Sequence, residues 1–443
     1  MLVSGQLLLP RDDDNPAFRF QIRPGTIRIE GDRIVDVILD EISPRSDLGG
    51  ADHLISPGFV DTHCHLPQFD MIGAHGLPLL RWLQEFTFPA EERWSDAGYA
   101  ASMTDRVLDQ CFAHGTTAIC GFATIHHEGT IAALKVAARR GMKGAIGQVL
   151  MNRNGPEEWM RKDARQQIDE TAQLMDRYPP GSSLSAAITP RFAVSCDRDL
   201  LQRAGELARS HRADSMPNAE VPLPIVQTHF CETLAECDLV RELFDGQEYV
   251  DVYEQAGLLT ERTVLAHGVH LTDQDRETLR RHGGIVAHCP TANLFLRSGT
   301  MDRRALEGAG VPVSLGSDIG AGYERSMIRV ARTMIEASAS LGDEFPSVQD
   351  AWWQITAGNA RALGWSEIGE LKVESVADLV IIRPDIPWRD RIPTGDGPSG
   401  PPDEPSAEQD PLSPLLFGWN DRWIRATVAN GRVVHQNESL PPP

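Results

Sequence analysis

At 443 residues, with 41% hydrophobic and 24% charged side chains, the chain has the composition of a globular protein and enough length for one decorated α/β barrel. Its 42 basic and 63 acidic residues leave a formal charge of −21, which repels phosphate backbones and anionic lipid surfaces. That balance argues against nucleic acid and membrane partners and is compatible with a small, weakly charged substrate.

Met1 to Pro10 is apolar but lacks a preceding basic segment and a small-residue cleavage site, so it reads as a first strand and not as a signal peptide. Thr26–Glu30 and Arg33–Ile38 alternate polar and apolar residues around Gly31-Asp32, the pattern of a β-hairpin. Ala377–Ile382 and Ala426–Val434 repeat that pattern near the other end of the chain. The expectation is a small β-sandwich domain assembled from both termini, residues 1–55 and 365–443.

Residues 56–364 alternate short apolar strands with amphipathic runs such as Glu128–Arg140, Arg161–Tyr178, Asp199–His211 and Leu234–Phe244. Candidate strands end at Val60, Gly121, Leu150, Ile188, Gln227, Ala266, Ala287 and Leu315. Eight such alternations predict a (β/α)8 TIM-type barrel with a long insertion before Gly121; periodicity alone also admits a doubly wound open sheet. Residues 387–415, rich in Pro, Gly, Asp and Glu, read as a loop or flap without regular structure. The seven cysteines contain no C-x-x-C pair, which excludes a zinc ribbon or thioredoxin-like motif and suits reduced thiols in a cytoplasmic protein.

Chemistry concentrates at strand ends. In Pro57-Gly-Phe-Val-Asp-Thr-His-Cys-His65 the two histidines are two residues apart, so an extended strand turns both imidazoles to one side. Three later strands end in further metal-binding residues: His229 after Pro224-Ile-Val-Gln-Thr, His267 after Thr263-Val-Leu-Ala, and Asp318 after Pro312-Val-Ser-Leu-Gly-Ser. Imidazole and carboxylate donors suit zinc, with iron(II) as the alternative, and a cation there lowers the pKa of a bound water toward 7. Glu232, three residues after His229, is placed to move that water's proton. His270 and His288 read as hydrogen-bonding residues near the mouth. His126-His-Glu128 imitates a zinc deaminase motif, but its P-C-x-x-C companion is missing.

The order His-x-His, His, His, Asp resembles the amidohydrolase superfamily. A finer resemblance, to the guanine deaminase family, lies in His63-Cys-His-Leu-Pro-Gln68, Leu79-Leu-Arg-Trp-Leu83, Thr87-Phe-Pro-Ala-Glu91, Phe122-Ala-Thr-Ile-His126, Thr189-Pro-Arg-Phe192, Ala287-His-Cys-Pro290 and Ser317-Asp-Ile-Gly-Ala-Gly322. Cys231 departs from the family's usual Ser. The resemblance implies hydrolysis of guanine to xanthine and ammonia, with a homodimer as the assembly. A relative acting on 8-oxoguanine, a pterin or an aminotriazine such as ammeline is the alternative, and a barrel relative serving only as a scaffold is argued against by the complete ligand set. Binuclear members bridge two metals with a lysine on the fourth strand. None of Lys135, Lys143, Lys162 and Lys372 falls there, so one Zn2+ per chain is expected, on His63, His65, His229, His267 and Asp318. Glu232, Asp318 and His267 are the expected catalytic groups, and Gln68, Arg191, Phe192, Glu232 and Asp318 the expected substrate contacts.

Overall fold

The computed structural model describes residues 1–11, 19–214, 222–392 and 410–437, without the side chains of 211–214. The chain divides into two compact units, one drawn from Met1–Val60, Asp109–Ala118 and Arg325–Pro443, the other from Asp61–Leu108 and Ile119–Glu324.

The terminal segments form one mixed seven-stranded sheet. Its strands are β1 (Leu2–Pro10), β2 (Phe20–Glu30), β3 (Arg33–Leu39), β4 (Leu48–Pro57) and, from the far end of the chain, Leu379–Ile382, Ile424–Ala429 and Arg432–Gln436. β2 and β3 are the hairpin expected around Gly31, where φ is 61°, a conformation glycine adopts without penalty. Val3, Leu7, Ile27, Ile29, Ile34, Ile55, Leu379, Ile381 and Val428 pack into one buried core.

The eight-stranded sheet contains β5 (Phe59–His65), β6 (Thr116–Phe122), β7 (Lys143–Leu150), β8 (Leu184–Pro190), β9 (Val226–Phe230), β10 (Thr263–His267), β11 (Ile285–His288) and β12 (Val313–Leu315), hydrogen-bonded in that order. The pairings from β7 through β12 are parallel. Every residue of β5 to β8 is buried, as expected for parallel strands covered on both faces. The end strands approach each other: Thr62 Oγ1 donates to Ser314 Oγ at 2.9 Å, and Asp318 N donates to the His63 carbonyl at 2.8 Å. The result is a nearly closed TIM-type barrel.

The first barrel strand runs five residues beyond Val60, carrying both histidines of the His-x-His pair inside the strand. The expected insertion before β6 is helical: a π-helical turn at Leu83–Thr87 leads into the short helix Phe88–Glu92, and Ala97–Ala113 follows. Of residues 387–415, 393–409 lie outside the described residues. The flanks are more regular than composition suggested, with a 3-10 turn at Arg389–Arg391 and a helix at Ser413–Phe417 whose Leu415 and Leu416 are buried. All seven cysteines are buried, and none is joined in a disulfide. Among the described residues, no helix is long and apolar enough to cross a membrane.

Candidate metal centre and adjoining pocket

The two-residue spacing on β5 works as strand geometry requires. The His63 and His65 rings lie 4.9 Å apart, nearly perpendicular. Curling of the sheet into a barrel brings the end of β9, four strands away, across to them, and the turn after β12 adds a carboxylate. Asp318 Oδ1 is 3.2 Å from His63 Nε2 and 3.4 Å from His65 Nε2, and His65 Nε2 faces His229 Nε2 at 3.1 Å. One donor atom from each of these four residues lies within 4.8 Å of the others. His63 Nε2 and Asp318 Oδ1 are buried without a directed hydrogen bond. Unsatisfied buried donors and two imidazole nitrogens aimed at one another are what a cation among them would satisfy. Three imidazoles and one carboxylate form a donor set that fits zinc or iron(II).

Contacts behind the donors hold them in place. His229 Nδ1 donates to the Arg191 carbonyl at 2.6 Å, so its Nε2 lone pair points into the group. Asp61, two residues before His63, accepts from the His63 N–H at 3.2 Å, from the Ser317 N–H at 2.9 Å and from the Ser317 hydroxyl. It thereby ties the His-x-His strand to the turn carrying Asp318. Cys231, His267 and Asp318 have φ of 48°, 79° and 51°, left-handed conformations that non-glycine residues keep only where their surroundings over-determine them. Burial lowers His63 to about 4 and takes His229 well below the ordinary histidine range, which keeps both rings neutral and available as ligands. Burial pushes Asp318 upward, but His63 and His65 against it hold it well below the usual carboxylate range.

His267, the expected fifth ligand, falls outside the group of four. Its Nδ1 lies 2.9 Å from Asn293 Oδ1, and Nε2 faces Glu232 Oε2 at 3.4 Å and Asp318 Oδ2 at 4.0 Å. Burial works to lower its pKa, and the charges of Glu232 and Asp318 more than offset this, raising it. The ring is therefore held between two carboxylates, one of them the Asp318 of the donor group. Glu232 accepts from Ser298 Oγ at 2.6 Å, and burial raises its pKa, as suits a group that holds and releases a proton. Behind it, Thr233 and Glu236 form a capping box at the start of the helix Leu234–Leu243, and Glu236 also accepts from the Glu232 N–H at 2.9 Å and from Tyr249 OH at 2.8 Å. Burial, and then the charge of Glu232, push Glu236 up to about 7.

Beside the donor group opens a cleft lined by His65, His229, Glu232, His267 and Asp318 together with Gln68, Arg191, Phe192 and the apolar Leu79, Trp82, Leu83 and Leu296. All the expected substrate contacts thus line one cavity. Phe192 stands 6.1 Å from the His229 ring. Arg191 is clamped by Glu91, its two terminal nitrogens donating at 2.8 and 3.1 Å, and Gln68 Nε2 donates to the same carboxylate at 2.9 Å. In the sequence Thr87–Glu91 carries only a resemblance, which gives Glu91 no role of its own. Asp61, Asn293, Ser298 and Glu236 have no role there either, although the Thr233-x-x-Glu236 spacing is a legible capping signal. Of the remaining histidines, His270 donates to the Ser298 carbonyl at 2.8 Å, as expected, whereas neither nitrogen of His288 has a hydrogen-bond partner, and burial lowers it to about 3. His126 packs against Trp159 and lies 3.5 Å from Glu92, outside the donor group.

The amidohydrolase family model matches residues 54–434. The chain is 35% identical to guanine deaminase of Dictyostelium discoideum over 338 residues, covering 74% of this chain and 72% of that protein. The solved E. coli guanine deaminase superimposes with a TM-score of 0.85 at 30% identity, over 99% of this chain and 100% of that one. The structure of guanine deaminase from C. acetobutylicum, with guanine bound in its active site, gives a TM-score of 0.82 at 25% identity over 98% and 99% of the two chains.

Proposed function

The chain belongs to the amidohydrolase family and, within it, to the guanine deaminases, and from that premise we propose that its cleft hydrolyses guanine to xanthine and ammonia with one zinc ion held by His63, His65, His229 and Asp318. When bound, such an ion activates a water molecule for attack on a polarised ring carbon. The remaining work belongs to the side chains. Glu232 takes a proton from the attacking water, delivers it to the ring nitrogen beside C2, and later assists departure of the amino group as ammonia. His267, aligned by Asn293 and flanked by Glu232 and Asp318, orients the water. Asp318 offers a second proton acceptor. Gln68 and Arg191 take the N1–H and O6 edge of the base, and Phe192 covers a face of the purine.

The observation that carries this reading is one cavity lined both by His65, His229 and Asp318 of the donor group with the adjacent proton-handling residues and by a planar donor and amide pair suited to a lactam edge. Ammonia release measured on guanine, 8-oxoguanine, adenine, pterin and ammeline tests it. Guanine should have the highest kcat/KM, and adenine should release no ammonia, because in guanine's orientation it carries no amine at C2 and its C6 amine meets the Arg191 donors. A tenfold or greater preference for a pterin or triazine would overturn it. Elemental analysis should return close to one zinc per chain; two tightly held ions would refute the mononuclear assignment.

A further inference from the structure

Glu91 is fully buried on the short helix Phe88–Glu92, and both of its oxygens are taken as acceptors by Arg191. The amide atom of Gln68 that lies 2.9 Å from Glu91 Oε1 must therefore be the donor, the NH2 group. The other end of that amide is then decided as well. Gln68 Oε1 is buried, has no hydrogen-bond partner, and belongs to a side chain lining the cleft. Arg191 lines the same cleft and has five N–H donors, two of which are committed to Glu91. We propose that Glu91 is the positioning residue that sets the polarity of the base-reading wall. It forces Gln68 to present an acceptor and leaves Arg191 as the donor beside it.

That pair complements a ring edge with N–H next to C=O and opposes an edge with a bare nitrogen next to an amine. Without Glu91 the Gln68 amide is free to turn over, because its two ends are nearly isosteric. The π-helical turn Leu83–Thr87 immediately before the helix is consistent with a segment shaped to deliver this carboxylate, since such turns gather at functional sites. The inference rests on the guanine reading only for which ring occupies the cleft.

The test compares guanine with 2,6-diaminopurine, which keeps the purine and the C2 amine but reverses donor and acceptor at N1 and C6. The readout is the guanine-to-diaminopurine ratio of kcat/KM or, if diaminopurine is not turned over, the ratio of guanine KM to diaminopurine Ki. Glu91→Gln gives Gln68 a neighbour able to donate as well as accept, so the discrimination between the two purines should fall at least tenfold, and Glu91→Asp should restore most of it. Equal losses on both purines with the discrimination intact would mean that Glu91 only supports the fold, and would overturn the proposal. Should Glu91→Gln fail to fold, Gln68→Met removes the oriented acceptor together with the N–H that Glu91 holds, and should narrow the discrimination to a similar degree; unchanged discrimination there overturns the proposal equally. Wild-type protein that ignores guanine but accepts a pterin or triazine sinks the function reading by itself. The same comparison between oxo and amino forms of the accepted ring then decides the role of Glu91.

Discussion

Replacing Arg191 by methionine keeps an unbranched side chain in the pocket wall but removes every donor. It leaves Glu91, whose exposure is 0%, with the Gln68 amide as its remaining partner among the contacts described above. Removing one member of a buried ion pair typically costs about 3–5 kcal/mol, because the charge left behind is uncompensated. The lost contact to the substrate edge adds about 2–4 kcal/mol to the barrier, or roughly 30- to 1,000-fold in kcat/KM. The two losses are separable. In Arg191→Met/Glu91→Met both charges are gone and apolar groups occupy their place, which is often neutral or stabilising relative to the ion pair. The double variant should therefore regain the stability that the single variant lost, while guanine turnover stays as low or lower. Urea unfolding of wild type, single and double variants, alongside their kcat/KM for guanine, makes the comparison. A double variant no more stable than Arg191→Met would refute the argument that an unpaired buried charge destabilises the single one. An Arg191→Met protein that deaminates guanine normally would refute the account of base reading.

His267→Gln should retain metal at the wild-type level while turnover falls about 10²- to 10⁴-fold, since the ring lies beside the donor group and handles protons or water; loss of metal in elemental analysis would restore it as a ligand. Glu232→Gln should lose a comparable factor with metal content unchanged, and a metal-free Glu232→Gln would remove it from the proton relay. Glu236 predicts a pH effect on stability. With a folded value near 7 against an ordinary 4.5, it contributes nothing below pH 4.5, where both states are protonated. Its penalty on the folded state grows as pH rises from 4.5 to 7 and levels off above that, at about 3 kcal/mol from (7 − 4.5) × 1.36. Glu236→Gln keeps an acceptor for the Glu232 N–H and gains a donor for Tyr249, so it should match wild type near pH 4.5 and exceed it by about 1–3 kcal/mol at pH 8 in urea unfolding. A variant less stable than wild type at pH 8 would contradict the assigned burial penalty.

Much of this architecture is written locally. The hairpin of β2 and β3 follows from alternation around Gly31, and the convergence of His63 with His65 follows from a two-residue spacing on an extended strand. Single polar residues closing apolar runs marked His229, His267 and Asp318 as strand-end groups, because parallel barrel strands are apolar until they reach the mouth. Each of these signals is complete within about ten residues, so one chain suffices to read it. The exact end of the first barrel strand was less legible, since Asp61, Thr62 and the histidines look like the polar end of a strand until their burial is seen.

What divides the strand-end residues into distinct roles is not local. The same sequence pattern marks His229 and His267, yet one closes the donor group and the other stands between two carboxylates. Asn293, 26 residues after His267, holds one ring, and the carbonyl of Arg191, 38 residues before His229, holds the other. Glu91 meets Arg191 across 100 residues and Gln68 across 23, and Asp61 meets Ser317 across 256. A carboxylate in a short helical segment has no periodicity to mark whether it will be solvated or sealed beneath a pocket. Only closure of the barrel, which strips water from Glu91 and makes its few remaining partners decisive, turns an ordinary glutamate into the group that orients the residues around it.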